Sequence, residues 1–201
     1  MYRKRNKILK IGPRLLVLCE GTTEKLYFSD MEKTLSRQPM RDVDILKAKE
    51  TDPNKILQEA IRRQLKEKNE MKAYEEVWIV FDDDNRRDLK SVFEKAKLNC
   101  ISIAYSSISF EYWYFLHFKR KATVFNDANE AKNEVGKHIP GYYETMPGIY
   151  NVINDKYNQN ALSNTEWLQN QKGYSDMYSA YLHKPITNVN ELCKIIINFG
   201  K

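Results

Sequence analysis

Two short apolar runs, Arg14-Leu15-Leu16-Val17-Leu18-Cys19 and Val77-Trp78-Ile79-Val80-Phe81, constrain the fold of this chain more than any other feature. They are strand-length, and neither shows the polar alternation of a half-exposed strand, so each reads as a strand buried on both faces. Amphipathic segments separate them. Gly21 breaks the first run, and Thr22 or Thr23 is placed to cap a helix carrying Leu26, Tyr27, Met31 and Leu35 on its inner face. Val43 and Ile45 alternate with Asp42 and Asp44 as a second strand. Asp52-Pro53 starts a helix with proline in its first turn, and Ile56, Leu57, Ala60, Ile61 and Leu65 keep helical spacing after it. Leu89, Val92, Phe93 and Ala96 mark another helix, and Ile101 to Tyr105 a fourth strand. Strands alternating with helices imply right-handed crossovers. The predicted fold is therefore α/β, a parallel sheet of about four strands flanked by helices.

From Phe110 onward the chain becomes rich in aromatic residues. Helices are expected near 110–118, 127–135, 160–170 and 187–198, with a loop from Gly136 to Gly148 around Pro140 and Pro147. The expected organisation is a basic arm (1–12), an α/β domain (13–118) and a C-terminal helical extension (119–201).

With 201 residues, the chain can bury a core without a structural metal or disulfide. Apolar residues at 42% and charged ones at 30% exclude wholesale disorder. No apolar run approaches the ~20 residues of a membrane helix. The opening MYRKRNKILKIG is basic but is followed by no apolar stretch, so no signal peptide is expected. Cys19, Cys100 and Cys193 are far apart, which argues against a zinc site or a disulfide framework and for a cytoplasmic location. The net charge of +6 favours an anionic partner such as nucleic acid.

Chemistry in parallel sheets sits past the carboxyl ends of the strands. Glu20 directly follows the first buried strand, and Asp82-Asp83-Asp84 directly follow the strand VWIVF. Asp82 and Asp84 point the same way in an extended segment, and Asp83 points the other way. Clustered carboxylates repel one another and stay ionised only around a cation. Hard oxygen ligands with open positions for phosphate suit Mg²⁺ or Mn²⁺. Gly21 permits a tight turn near a phosphate, and the N–H groups of the following helix favour an anion. Taken singly, a glutamate after a strand is ordinarily a solvated loop residue, and an acidic triplet is commonly a charged turn. The two together, at strand ends separated by a βα unit, are far more specific.

An apolar strand followed by Glu-Gly, then a later strand ending in Asp-x-Asp, resembles the Toprim domain of topoisomerases, bacterial primases and related nucleases. More closely, CEGTTEKLYF (19–28), VFDDD (80–84), SISFEYWYFLHF (107–118) and KPITNVNEL (184–192) make the chain similar to the RloB-like family, from about residue 11 onward. Ile108 departs from the small polar residue or proline-containing turn expected before Phe110. The resemblance implies that Glu20 is the Toprim glutamate, a general acid/base, and that Asp82 and Asp84 are the metal-binding pair. Glu24, one helical turn after Glu20, either reaches the same metal shell or favours the helix N-terminus. Glu111 is either a further metal carboxylate or phosphate-facing base, or a buried acid paired with a basic residue.

Arg86 and Arg87 either contact phosphates or neutralise the acidic triplet. Arg3, Lys4, Arg5, Lys7 and Lys10 form either a phosphate-contacting arm or a solubilising tail. Tyrosines 142, 143, 150, 174, 178 and 181 either stack on unpaired bases or pack in the core. His117 reads as structural.

The resemblance implies a phage-defence effector working with an RloA-type ATPase partner of the AAA or ABC kind. The expected activity is Mg²⁺-dependent hydrolysis of phosphodiesters in RNA such as tRNA, or in DNA. Two other readings stand beside it. VFDDDN superficially matches phosphoaspartate-forming phosphatases, with Asp82 as the nucleophile, and the chain could also be a non-catalytic subunit that binds the ATPase.

Overall fold

The computed structural model describes residues 12–35, 42–70, 72–83, 88–156 and 160–199, without the side chains of 155 and 156. Four strands form one sheet: β1 (Arg14–Cys19), β2 (Asp42–Lys47), β3 (Glu76–Asp82) and β4 (Ser102–Ser106). All pairings are parallel, in the order β2-β1-β3-β4. The two continuous apolar runs occupy the two central positions, where both faces are covered by helices and polar alternation would bury unpaired groups. Leu15 through Cys19 are wholly inaccessible. β2, with its alternating aspartates, takes an edge and stays largely half-exposed.

Three helices connect the strands: α1 (Thr22–Leu35), α2 (Pro53–Asn69) and α3 (Lys90–Leu98). At α2, Asp52 accepts a hydrogen bond from the Lys55 N–H and Pro53 fills the first helical turn. The cap is worth about 1 kcal/mol. At α1 the expectation fails. Thr22 and Thr23 both lie inside the helix rather than at its cap, and the Thr23 hydroxyl donates to the Glu144 carbonyl.

The second half adds α4 (Glu111–Leu116), α5 (Ala128–Gly136), α6 (Ile149–Lys156), α7 (Leu162–Lys172), a 3-10 turn (Met177–Leu182) and α8 (Val189–Asn198). Neither α6 nor the 3-10 turn is expected from the sequence. The asparagines and β-branched residues of α6 are indifferent helix formers, and packing against α1 supplies what propensity does not. The aromatic run 110–117 is buried throughout. Tyr27 of α1 packs against Phe28, Phe110, Tyr114 and Tyr150, which ties α1, α4 and α6 together. His117 is structural: its Nδ1 is 2.9 Å from the Trp113 carbonyl. Burial lowers its pKa to about 4 against the opposing pull of backbone hydrogen bonds, so it is neutral at pH 7.

The free edge of β4 is covered by residues 184–188. Ser106 and Thr187 form an antiparallel bridge, and the Ser107 N–H donates to the Ile186 carbonyl at 2.7 Å. The Asn188 side chain accepts from the Tyr105 N–H at 2.7 Å and donates to the Ile103 carbonyl at 2.8 Å. One side-chain amide thus does what a peptide of a fifth strand would do, pairing the Tyr105 N–H and the Ile103 carbonyl.

Candidate active site

Glu20 leaves β1 with its N–H bonded to the Val80 carbonyl at 2.9 Å, so the end of β1 is pinned to β3. Asp82 is the last residue of β3 and lies in register with Ser106 of β4. Glu111 opens α4, directly past the end of β4, and Glu24 lies in the first turn of α1. These four carboxylates line one cavity of about 380 Å³ at the carboxyl edge of the sheet. Asp84, Arg86, Arg87 and the arm residues Arg3, Lys4 and Arg5 lie outside the described residues.

Local backbone chemistry places each group. A Cβ on Gly21 would stand 2.6 Å from Glu24 Oε2, so the absence of a side chain there lets the Glu24 carboxylate fold back over the start of its own helix. Glu24 is 4% exposed, and its Oε2 has no hydrogen-bond partner among the described residues. Burial pushes its carboxyl up to about 7; backbone N–H bonds from Glu24 and Gly21 oppose the rise, and the charges of Glu20 and Glu111 add to it. Glu111 is 2% exposed and accepts a hydrogen bond from the Tyr142 hydroxyl at 2.9 Å. Its hydrogen-bond partner here is thus a phenol, not the basic side chain of the alternative reading. Ile108, which also lines the cavity, has φ +62°. A β-branched residue in that region stores about 1–3 kcal/mol of strain, a feature that clusters at functional sites.

Asp83 points away from the cavity, as strand alternation requires. It is 1% exposed and pairs with Lys184 at 2.6 Å. The triplet therefore divides its work: Asp82 faces the cavity and Asp83 anchors the segment that covers β4.

Several lining residues escaped the sequence reading. Lys47 ends β2 beside Cys19 in register, with its ammonium 3.2 Å from Thr22 Oγ1. The rule that located Glu20, function at carboxyl strand ends, also points to Lys47. Lys132 of α5 pairs with Glu144 at 2.9 Å. Burial opposes its charge, but Glu144, Glu111 and Asp82 together raise its pKa. Tyr142, read as either a base-stacking or a core residue, packs against the core beside Tyr114 and also donates its hydroxyl to Glu111. No local pattern marks Lys132, Glu144 or Tyr142, because only the folding-back of residues 119–145 brings them to the sheet.

The donor set is all oxygen and mutually repelling, with a buried unpartnered carboxylate oxygen in it, which fits a hard divalent cation. Among the described residues no three His, Cys, Asp or Glu side chains already stand at metal-holding spacing. Nor, among them, is any helix long and apolar enough to cross a membrane.

A parallel four-stranded sheet with a carboxylate-lined cavity at its carboxyl edge defines the class: an α/β protein with a single-edge acidic site. Over residues 15–196 the chain matches the family model described as RloB-like protein, and it belongs to that family. No curated protein and no solved structure matches it.

Proposed function

We propose that this RloB-like protein is a metal-dependent nuclease of Toprim type that hydrolyses phosphodiesters in RNA or DNA. The observation that carries the reading is the convergence of Glu20, Glu24, Asp82 and Glu111 on one cavity flanked by Lys47 and Lys132. Buried carboxylates outnumber the lysines there, so a phosphate enters only if a further cation offsets the negative charge. Glu20 and Asp82, with Asp84 and Glu24, would hold Mg²⁺ or Mn²⁺. Such an ion supplies Lewis-acid polarisation of the phosphate and makes hydroxide accessible at neutral pH.

The chain's own residues do the rest. Glu20 exchanges a proton with the attacking or leaving oxygen. Glu24, titrating near neutrality, holds a proton in the apo site and thereby lessens repulsion among the carboxylates. Tyr142 fixes Glu111, and Gly21 leaves the space that Glu24 occupies. By family resemblance, the proposed setting is phage defence in the cytoplasm with an RloA-type ATPase.

The test is incubation of the purified chain, with and without that ATPase, with plasmid, single-stranded DNA and total tRNA, in Mg²⁺ or Mn²⁺ against chelator. Cleavage that needs the metal and disappears in Asp82→Asn, while the variant's melting temperature stays at or slightly above wild type, supports the reading. An Asp82→Asn protein that unfolds, or one that cuts as well as wild type, would remove its basis.

A further inference from the structure

Lys47 and Lys132 reach the cavity from different parts of the fold. Lys47 ends β2, the outermost strand, beside the end of β1. Lys132 lies on α5, which packs against α4, the helix that follows β4. In the strand order β2-β1-β3-β4, the ends carrying Glu20 and Asp82 therefore fall between the two lysines. The partners of the two ammonium groups differ in kind. Lys47 is hydrogen-bonded to the neutral hydroxyl of Thr22 and makes no ion pair among the described residues. Lys132 is held by the Glu144 carboxylate.

The backbone of Glu144 is held independently of its carboxylate, its carbonyl accepting from the Thr23 hydroxyl at 2.8 Å. Its side chain is 58% exposed, so the carboxylate can leave Lys132 while the loop stays docked. A pair with one partner this open to water is weak. A lysine on a flexible stem readily exchanges one oxyanion for another. The cavity floor also presents polar atoms that the protein leaves unsatisfied. Glu24 Oε2 and Ser109 Oγ are buried without hydrogen-bond partners among the described residues, and both residues line the cavity. Buried polar atoms without partners inside a cavity point to a ligand.

We propose that Glu144 stands in for a substrate phosphate on Lys132 until a nucleic-acid strand displaces it, and that Lys47 takes another phosphate of the same strand across the carboxylates. The inference rests on the nuclease reading and adds to it the two residues that seat the strand on either side of the scissile bond. Lys132 and Lys47 are binding residues, and Glu144 is a competitor that the substrate replaces.

Neutralising Lys132 and neutralising Glu144 should move strand binding in opposite directions. Short fluorescein-labelled single-stranded RNA and DNA oligonucleotides are titrated by anisotropy across a salt series, with Ca²⁺ in place of Mg²⁺. Lys132→Gln weakens binding about tenfold or more, the scale of a lost charge-assisted hydrogen bond. It also makes the salt dependence shallower by about 0.7, the slope of one phosphate contact on a single strand. Lys47→Gln lowers the slope by a similar amount, and Lys132→Arg retains it. Glu144→Gln tightens binding about two- to fivefold, the range into which the strength of an exposed ion pair converts. In the Lys132→Gln/Glu144→Gln double variant that gain is absent.

A gain from Glu144→Gln that persists without Lys132 assigns Glu144 to general repulsion and overturns the exchange. Unchanged salt slopes in both lysine variants overturn the phosphate contacts. Parallel Mg²⁺ cleavage assays separate the two levels. A wild type that cuts while the slopes stay unchanged refutes only the lysine assignment, whereas a wild type that neither binds nor cuts any strand refutes the nuclease reading as well. If the wild type binds without cutting, the slopes still decide the lysines.

Discussion

Lys184→Met tests whether the acidic triplet is divided between chemistry and anchoring. Asp83 is 1% exposed, and the ammonium of Lys184 bridges both of its oxygens at 2.6 and 2.8 Å. Removing one partner of a buried pair typically costs about 3–5 kcal/mol, because the other charge stays desolvated. The Lys184 side chain is 38% exposed, so water reaches part of the vacated site and brings the expected loss to about 2–3 kcal/mol. For a domain of this size that lowers the melting temperature by roughly 5–10 °C. Asp83→Asn should cost less, about 1 kcal/mol, because a lysine at the surface regains its hydration when its partner is neutralised. The double variant should recover most of the Lys184→Met loss, since no buried charge then remains. Urea unfolding followed by circular dichroism gives the three stabilities. Repeating it at high salt should leave the Lys184→Met penalty nearly intact, because a buried carboxylate is poorly screened. A Lys184→Met protein within about 0.5 kcal/mol of wild type, or an Asp83→Asn loss as large as that of Lys184→Met, refutes this account of the anchor.

Two further predictions concern the cavity itself. The Glu24 carboxyl titrates near 7 in the folded chain against an ordinary 4.5, so the folded state keeps a proton that the unfolded state releases between those values. The metal-free protein should therefore lose stability as pH rises from about 4.5 to about 7, by about 3 kcal/mol in all at roughly 1.4 kcal/mol per pH unit, and level off above that. Glu24→Gln should flatten that fall and be the more stable protein at pH 8 in chelator; parallel wild-type and variant curves would count against the assignment. Gly21→Ala puts a methyl where Glu24 Oε2 now lies, a collision that the end of a flexible side chain relieves by moving. Its melting temperature should fall by only a few degrees while metal-dependent cleavage drops sharply, and unimpaired cleavage would show that the position of Glu24 is immaterial.

The sheet was legible because its signal is local. Leu15 to Cys19 and Val77 to Phe81 are apolar without interruption and only strand-length, the pattern of a strand covered on both faces. The common edge of Glu20 and Asp82 was legible for a topological reason, since strands that run parallel all end at the same edge of the sheet. The opposite orientations of Asp82 and Asp83 followed from strand pleat alone. What stayed hidden depends on contacts across long stretches of sequence. Tyr142 reaches Glu111 from 31 residues away, and Lys184 reaches Asp83 from 101. Neither contact has a periodicity that announces it. The helix α6 was hidden for a different reason: its residues are weak helix formers, so the decision is made by the surface of α1 against which it packs.

The cover over β4 has a consequence for the order of folding. Asn188 is synthesised 83 residues after Tyr105, the residue whose N–H it accepts. Closing so long a loop carries an entropic cost before the contact returns anything, which makes this a late event in folding. A nascent chain that has emerged only as far as α5 carries a completed parallel sheet whose β4 edge is bare, and bare edges recruit other chains. Until residues 184–188 arrive, Asp83 also remains without its lysine at the base of the acidic triplet. Association between partly made chains and the last step of self-assembly thus compete for the same row of hydrogen-bonding groups, and the speed with which Asn188 docks determines which one prevails.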